Sequence, residues 1–241
     1  MRTLLIAALA AALAATPVSA AELQRETRTV SGFSRIDIDG LADVTLRQGP
    51  REGVTIEAPA PALSHVVTEV RDGTLSISVE GSARRHWWDW AMGGGSARPP
   101  RITIDFTRLE RIEASGTVNF NADAVKADDL RLDFAGACTL RVADLQASRL
   151  RLDGSGAVKA ALGGKVGTQY VDLSGAGSYL TPDLASEVAV LRVSGAGKAV
   201  VNVSSRLTVE ISGAGAVEYI GDPKVEKQIS GVAKVTRRDS R

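Results

Sequence analysis

Large rings are scarce in this chain. Phe, Trp and Tyr make up 4% of its 241 residues. A thick core filled by aromatics is therefore excluded, and Ala, Val, Leu, Ile and Gly must fill a thin one. Cysteine is rarer still: Cys138 stands alone, so no intramolecular disulfide can form. The two histidines, His65 and His86, are too few for a histidine-rich metal site. Net charge is nearly absent, with 29 Lys and Arg against 28 Asp and Glu. A nucleic-acid partner is excluded on that ground, because such a surface needs a net basic face to displace counterions. Helical periodicity is missing too, since no segment after Ala21 carries a convincing apolar stripe.

One long apolar run exists, from Leu4 to Ala15, and it is too short to cross a bilayer as a helix. Arg2 precedes it and the small residues Val18-Ser19-Ala20 follow. This pattern predicts a signal peptide over residues 1–20, cut between Ala20 and Ala21. Loss of Arg2 leaves 28 basic and 28 acidic residues. No cysteine lies near the cut to carry a lipid anchor. The expected location is periplasmic, secreted or at the cell surface, with no transmembrane segment in the mature chain.

What the chain has in abundance is glycine at fixed intervals. LSGAG, VSGAG and ISGAG begin at Leu173, Val193 and Ile211. Their first glycines belong to a longer column: Gly116, Gly136, Gly156, Gly175, Gly195, Gly213 and Gly231, with steps of 20, 20, 19, 20, 18 and 18. Two residues before these glycines stand Ala114, Phe134, Gly154, Leu173, Val193, Ile211 and Ile229. Four before stand Ile112, Leu132, Leu152, Val171, Leu191, Val209 and Lys227. Both columns are mainly apolar. Between them lie Glu113, Asp133, Asp153, Asp172, Arg192, Glu210 and Gln228, all polar. Apolar, polar, apolar is a strand with one buried face. The small-Gly-small segment is a corner, and a second short strand follows, as in Val118–Phe120, Leu140–Val142 and Val200–Val203. The predicted fold is all-β: a parallel, right-handed β-helix-like solenoid with rungs of about 18–20 residues over 111–235, followed by a polar tail over 236–241. Cys138 shares a column with Val118 and Val158 and reads as a small buried hydrophobe.

Residues 21–110 are β-rich but less regular. Ile36-Ile38, Val44-Leu46, Val54-Ile56, Leu75-Ile77-Val79 and Ile102-Ile104-Phe106 alternate, and Asp72-Gly73 is a turn signal. This portion forms either the first rungs or a separate cap. It is interrupted by a variable loop over 81–100 that holds RRHWWDW, then three glycines, then two prolines. All three tryptophans, Trp87, Trp88 and Trp90, lie there.

SGFSRIDIDG, DGTLSISV, RITIDFTRLERIEASG, the serial SGAG rungs and AVEYIGDPKVEKQISG together resemble the head GIN domain family, bacterial envelope proteins labelled auto-transporter adhesins. The likeness covers nearly all of the chain after residue 20. It implies a right-handed β-helix-like fold and an adhesive role, and it brings no catalytic residues. The tryptophan segment and Lys227 depart from the family pattern.

Three constellations invite chemistry. Ser194-Gly195-Ala196-Gly197-Lys198 imitates a phosphate loop but has Arg192 and Ala199 where Gly and Ser or Thr are required. Ser155 imitates a nucleophile elbow but has Asp153 in place of the first glycine. The stacked acids Glu113, Asp133, Asp153 and Asp172 could serve a cation or glycosidic catalysis, yet Arg111, Arg131 and Arg151 lie two positions earlier and neutralise them. The reading is a non-enzymatic binding, adhesion or scaffolding module. It has no cofactor, no metal and no catalytic residue. A protein or glycan of the cell envelope is the expected partner, and Trp87, Trp88 and Trp90 are the candidate contacts. The alternative is a polysaccharide-active enzyme using the stacked carboxylates.

Overall fold

The computed structural model of the protein describes residues 23–79 and 99–239. The expected signal peptide and Trp87, Trp88 and Trp90 lie outside the described residues. The rest is all-β, one curled open sheet. Its elements are β1 (Leu23–Arg28), β2 (Arg35–Gln48), β3 (Gly53–Pro59), α1 (Ala60–Leu63), β4 (Val66–Arg71), β5 (Thr74–Val79), β6 (Arg101–Phe106), β7 (Arg111–Ile220) and β8 (Lys224–Arg237).

β7 is a continuous run of 110 residues that carries the repeat. Residues one repeat apart lie side by side. A Cβ placed on Gly116, Gly136, Gly156, Gly195, Gly213 or Gly231 would meet the carbonyl oxygen of the column glycine before it, and on Gly175 it would lie 2.7 Å from the oxygen of Gly156. Each of these glycines has positive φ, from 95° at Gly116 to 131° at Gly213. Only glycine meets both demands, the close approach and the backbone angle. The apolar columns are buried as far as Val209 and Ile211, and so are Val118, Phe120, Leu140 and Val142 of the second short strands. Phe120 and Phe134 come from the two sides of the corner and stack across the thin interior at 5.6 Å. Cys138 is buried with Val118 and Val158, and burial pushes its thiol up.

The N-terminal portion joins the same sheet. β2 pairs in parallel with the start of β7, from Arg35↔Arg111 to Leu46↔Ala122, and sets Gly40 opposite Gly116. The other edge of β2 forks. Its first half pairs with β5, Arg35↔Thr74 to Asp39↔Ser78. Its second half pairs with β6, Asp43↔Arg101 to Gln48↔Phe106. β4 then closes on β5, β3 closes on β6 and β1 on β3, all antiparallel. Asp72-Gly73 turns β4 into β5 with φ of 49° and 74°, the two-residue hairpin that such a pair favours.

At the opposite end β8 pairs in parallel with β7, from Arg206↔Lys224 to Tyr219↔Arg237. The ladder thus continues through Thr236 and Arg237, the first charged residue of the polar tail, and the Arg238 amide donates to the Tyr219 carbonyl at 2.8 Å. Among the described residues β8 has no strand on its other side. Lys227 is exposed, and Ile229, in a core column, is 39% exposed.

Candidate binding face

The polar columns of the repeat form one ladder on the outside of β7. Arg111 Nε lies 2.7 Å from Glu113 Oε1 and 2.7 Å from Asp133 Oδ2. Arg131 reaches Asp133 at 2.9 Å and Asp153 at 3.3 Å. Arg151 closes on Asp153 at 2.9 Å. Each of the three arginines therefore serves its own repeat, and Arg111 and Arg131 also serve the next. Exposed pairs contribute little one at a time. Their arrangement prevents stacked acids from repelling across the strand spacing of about 4.8 Å. The arginines neutralise Glu113, Asp133 and Asp153 as the sequence predicts, and each of these three acids is held in an ion pair. Further along, Arg192 pairs with Glu210 at 3.0 Å, and Lys198 of the phosphate-loop mimic pairs with Glu218 at 3.6 Å.

The ladder is unbalanced at both ends. Arg35 turns away from Asp37 and donates to the Asp72 carbonyl. Burial, Glu113 and Asp39 then raise Asp37 above the ordinary aspartate value of 3.8. At the far end the residue two before Asp172 is Tyr170, and Asp172 makes no ion pair among the described residues.

Two open grooves flank the arginine column. One, of about 500 Å³, runs along the acids from Asp37 to Asp172 and the serines Ser115, Ser155 and Ser174. The other, of about 810 Å³, is lined by Gln48, Lys126, Asp129, Arg149, Arg151 and Tyr170 among others. In it Arg149 grips Asp129 through two bonds of 2.6 and 2.9 Å. Among the described residues no group of three or more His, Cys, Asp or Glu is arranged to hold a metal ion.

Two polar features escaped the reading of the repeat. Tyr179, Gln169, Thr181 and Ser186 are buried. The Tyr179 hydroxyl donates to Gln169 Oε1 at 2.7 Å, the Gln169 amide donates to Ser186 Oγ at 2.7 Å, and that hydroxyl donates to the Asn202 carbonyl at 2.8 Å. Burial pushes the Tyr179 phenol up. Tyr170 is the second feature, an aromatic ring left 42% exposed on the arginine column.

A repetitive all-β chain, cored by small aliphatics and faced by a neutralised charge ladder, falls in the class of β-repeat proteins. It belongs to the family described as "Putative auto-transporter adhesin, head GIN domain", whose model matches residues 32–223. Solved structures agree on the fold. A putative adhesin from Bacteroides fragilis superposes with a TM-score of 0.80 at 18% identity, covering 90% of this chain and 97% of that one. A putative adhesin from Parabacteroides distasonis gives 0.67 at 20% identity, over 90% and 97%. A putative lipid binding protein from the same species gives 0.63 at 18% identity, over 90% and 96%. No curated relative matches the chain. Among the described residues no helix is long and apolar enough to cross a membrane.

Proposed function

We propose that this chain is an exported, non-enzymatic binding or adhesion module of the bacterial envelope, periplasmic or at the surface. Its repeats wind as a right-handed, β-helix-like solenoid that serves as a rigid mount. Glycine contacts at repeat spacing and the parallel pairing of β2 and β8 with β7 support the winding. Membership of an adhesin family supports the role.

The points where the tryptophan segment leaves and rejoins the sheet support the reading. The segment joins β5 to β6, the two strands that share one edge of β2. Val79, at its start, packs so close to Gly40 that a Cβ there would lie 3.1 Å from its own. At its end the Asp43 amide donates to the Pro100 carbonyl at 3.0 Å. Both ends are thus fastened to the sheet, and the segment between them can vary without disturbing a repeat. Trp87, Trp88 and Trp90 are the contacts this reading assigns to a glycan or protein partner.

The test replaces all three with Ala. Affinity for envelope glycans should fall, while the melting temperature moves by less than about 4 °C, the scale of roughly 1 kcal/mol for a chain this size. A glycan array and a reducing-sugar release assay are run together on the unaltered protein. Binding without sugar release is the expected result, and sugar release would overturn the non-enzymatic reading.

A further inference from the structure

Five residues before the column glycines the chain writes Arg35, Arg111, Arg131 and Arg151, and then Tyr170. The repeat explains the arginines, because each has an acid two residues on. It does not explain a tyrosine. An exposed ring at this position gives up an ion pair with Asp172 and gains no core packing, since it stays 42% exposed.

The surroundings of the ring are ordered. Arg149 is held by Asp129 through two bonds, and Arg151 by Asp153 at 2.9 Å. Gln48 is clamped to the Lys126 backbone, accepting from its amide at 2.7 Å and donating to its carbonyl at 2.9 Å. These groups line one groove with Tyr170, and Asp172 lies on the other side of the ring column, in the neighbouring groove. Donors and acceptors are therefore preset beside an aromatic face, which limits the entropy lost on binding.

We propose that Tyr170 is the platform of a saccharide-binding subsite for a neutral glycan chain. A pyranose offers an apolar C–H face and a rim of hydroxyls. The ring takes the face, and the guanidinium N–H groups of Arg149 and Arg151 that are not spent on their carboxylates take the rim. The ligand is neutral because Arg149 and Arg151 already have carboxylate partners, leaving little net field for either sign of charge. It is not a peptide strand, because the strands with a free edge among the described residues are β1, β4 and β8, and Tyr170 lies on none of them. The proposal rests on the binding role above but not on the tryptophans.

The experiment titrates the mature protein with maltoheptaose, cellohexaose and chitohexaose at low and high salt. At least one should bind, with an affinity that salt barely alters. Tyr170→Ala should weaken it roughly tenfold. Tyr170→Arg restores the column and can pair with Asp172, so it should melt no lower than the unaltered protein and still lose binding. The proposal is overturned if none of the three binds, if binding vanishes at high salt, or if Tyr170→Arg keeps its affinity. Should the tryptophan replacement abolish glycan binding while both Tyr170 variants bind normally, this subsite is wrong and the function proposed above stands. Should the Tyr170 variants alone lose binding, the subsite holds and the assignment to the tryptophans falls.

Discussion

At the scale of single residues, column position decides what a substitution costs. Gly175 has φ of 109° and its neighbour's carbonyl in the space a side chain would need. Gly175→Val should destabilise the protein by about 3 kcal/mol through backbone strain and collision. Three residues away, Asp172→Asn should stay within about 0.5 kcal/mol, because Asp172 has no ion pair to lose. Equal denaturation midpoints for the two variants would remove the corner assignment. Asp37 behaves differently, because its pKa is raised by burial, by Glu113 and by Asp39. The folded state then resists the charged form, a penalty fully present above the raised pKa and gone once pH falls below the ordinary 3.8. Asp37→Asn should therefore be the more stable protein at neutral pH, and its advantage should disappear in acid. Midpoints measured at both pH values check this; an advantage that grows in acid would contradict it. The glycines and their acid neighbours were legible in the sequence because the repeat prints them in register. Tyr179 and Gln169 were not. Their burial depends on a chain of hydrogen bonds that runs from Tyr179 through Gln169 and Ser186 to the Asn202 carbonyl and crosses successive repeats, and no single window of sequence shows that partnership.

At the scale of elements, the two ends of the sheet are closed by different means. β2 is covered on its far edge by β5 and β6. Among the described residues β8 is left bare, and its core column carries Lys227 where earlier repeats carry Val209, Leu191 and Val171. Charge on a bare strand discourages pairing with other molecules. Lys227→Val should therefore raise self-association, read as a shift to earlier elution and higher light-scattering mass with protein concentration. An unchanged monomer–oligomer balance would show that this lysine does not guard the edge. The place of β2 was hidden from the sequence for a related reason. A step of 20 back from Gly116 lands at residue 96, next to the tryptophan segment, and not at Gly40. The chain spends the intervening residues on β3 to β6, so the ladder contact between β2 and β7 spans 76 positions, as between Ser115 and Asp39. Periodicity finds neighbours one repeat apart and cannot see past an insertion of that length.

At the scale of the whole molecule, the forked strand β2 and β8, bare among the described residues, pair with the two ends of β7. The burial of residues 138–150 matches that of residues 118–130 position by position, and a Cβ on each corner glycine would meet the backbone of the corner glycine before it. Nothing in the middle depends on how many such units there are. The molecule's length is accordingly a setting that can be edited in whole modules, with the ends reused unchanged. A second copy of residues 131–150 placed between Leu150 and Arg151 should fold, melt no lower than the parent by more than a few degrees, and lengthen the particle by one strand spacing, about 4.8 Å. Small-angle scattering and a thermal melt on the lengthened chain measure both. A chain that aggregates or loses its cooperative melt would mean that the ends sense the number of repeats between them. Each added module would move Tyr170 one strand spacing further from the β5 and β6 edge of β2, a ruler built from one repeated sentence of sequence.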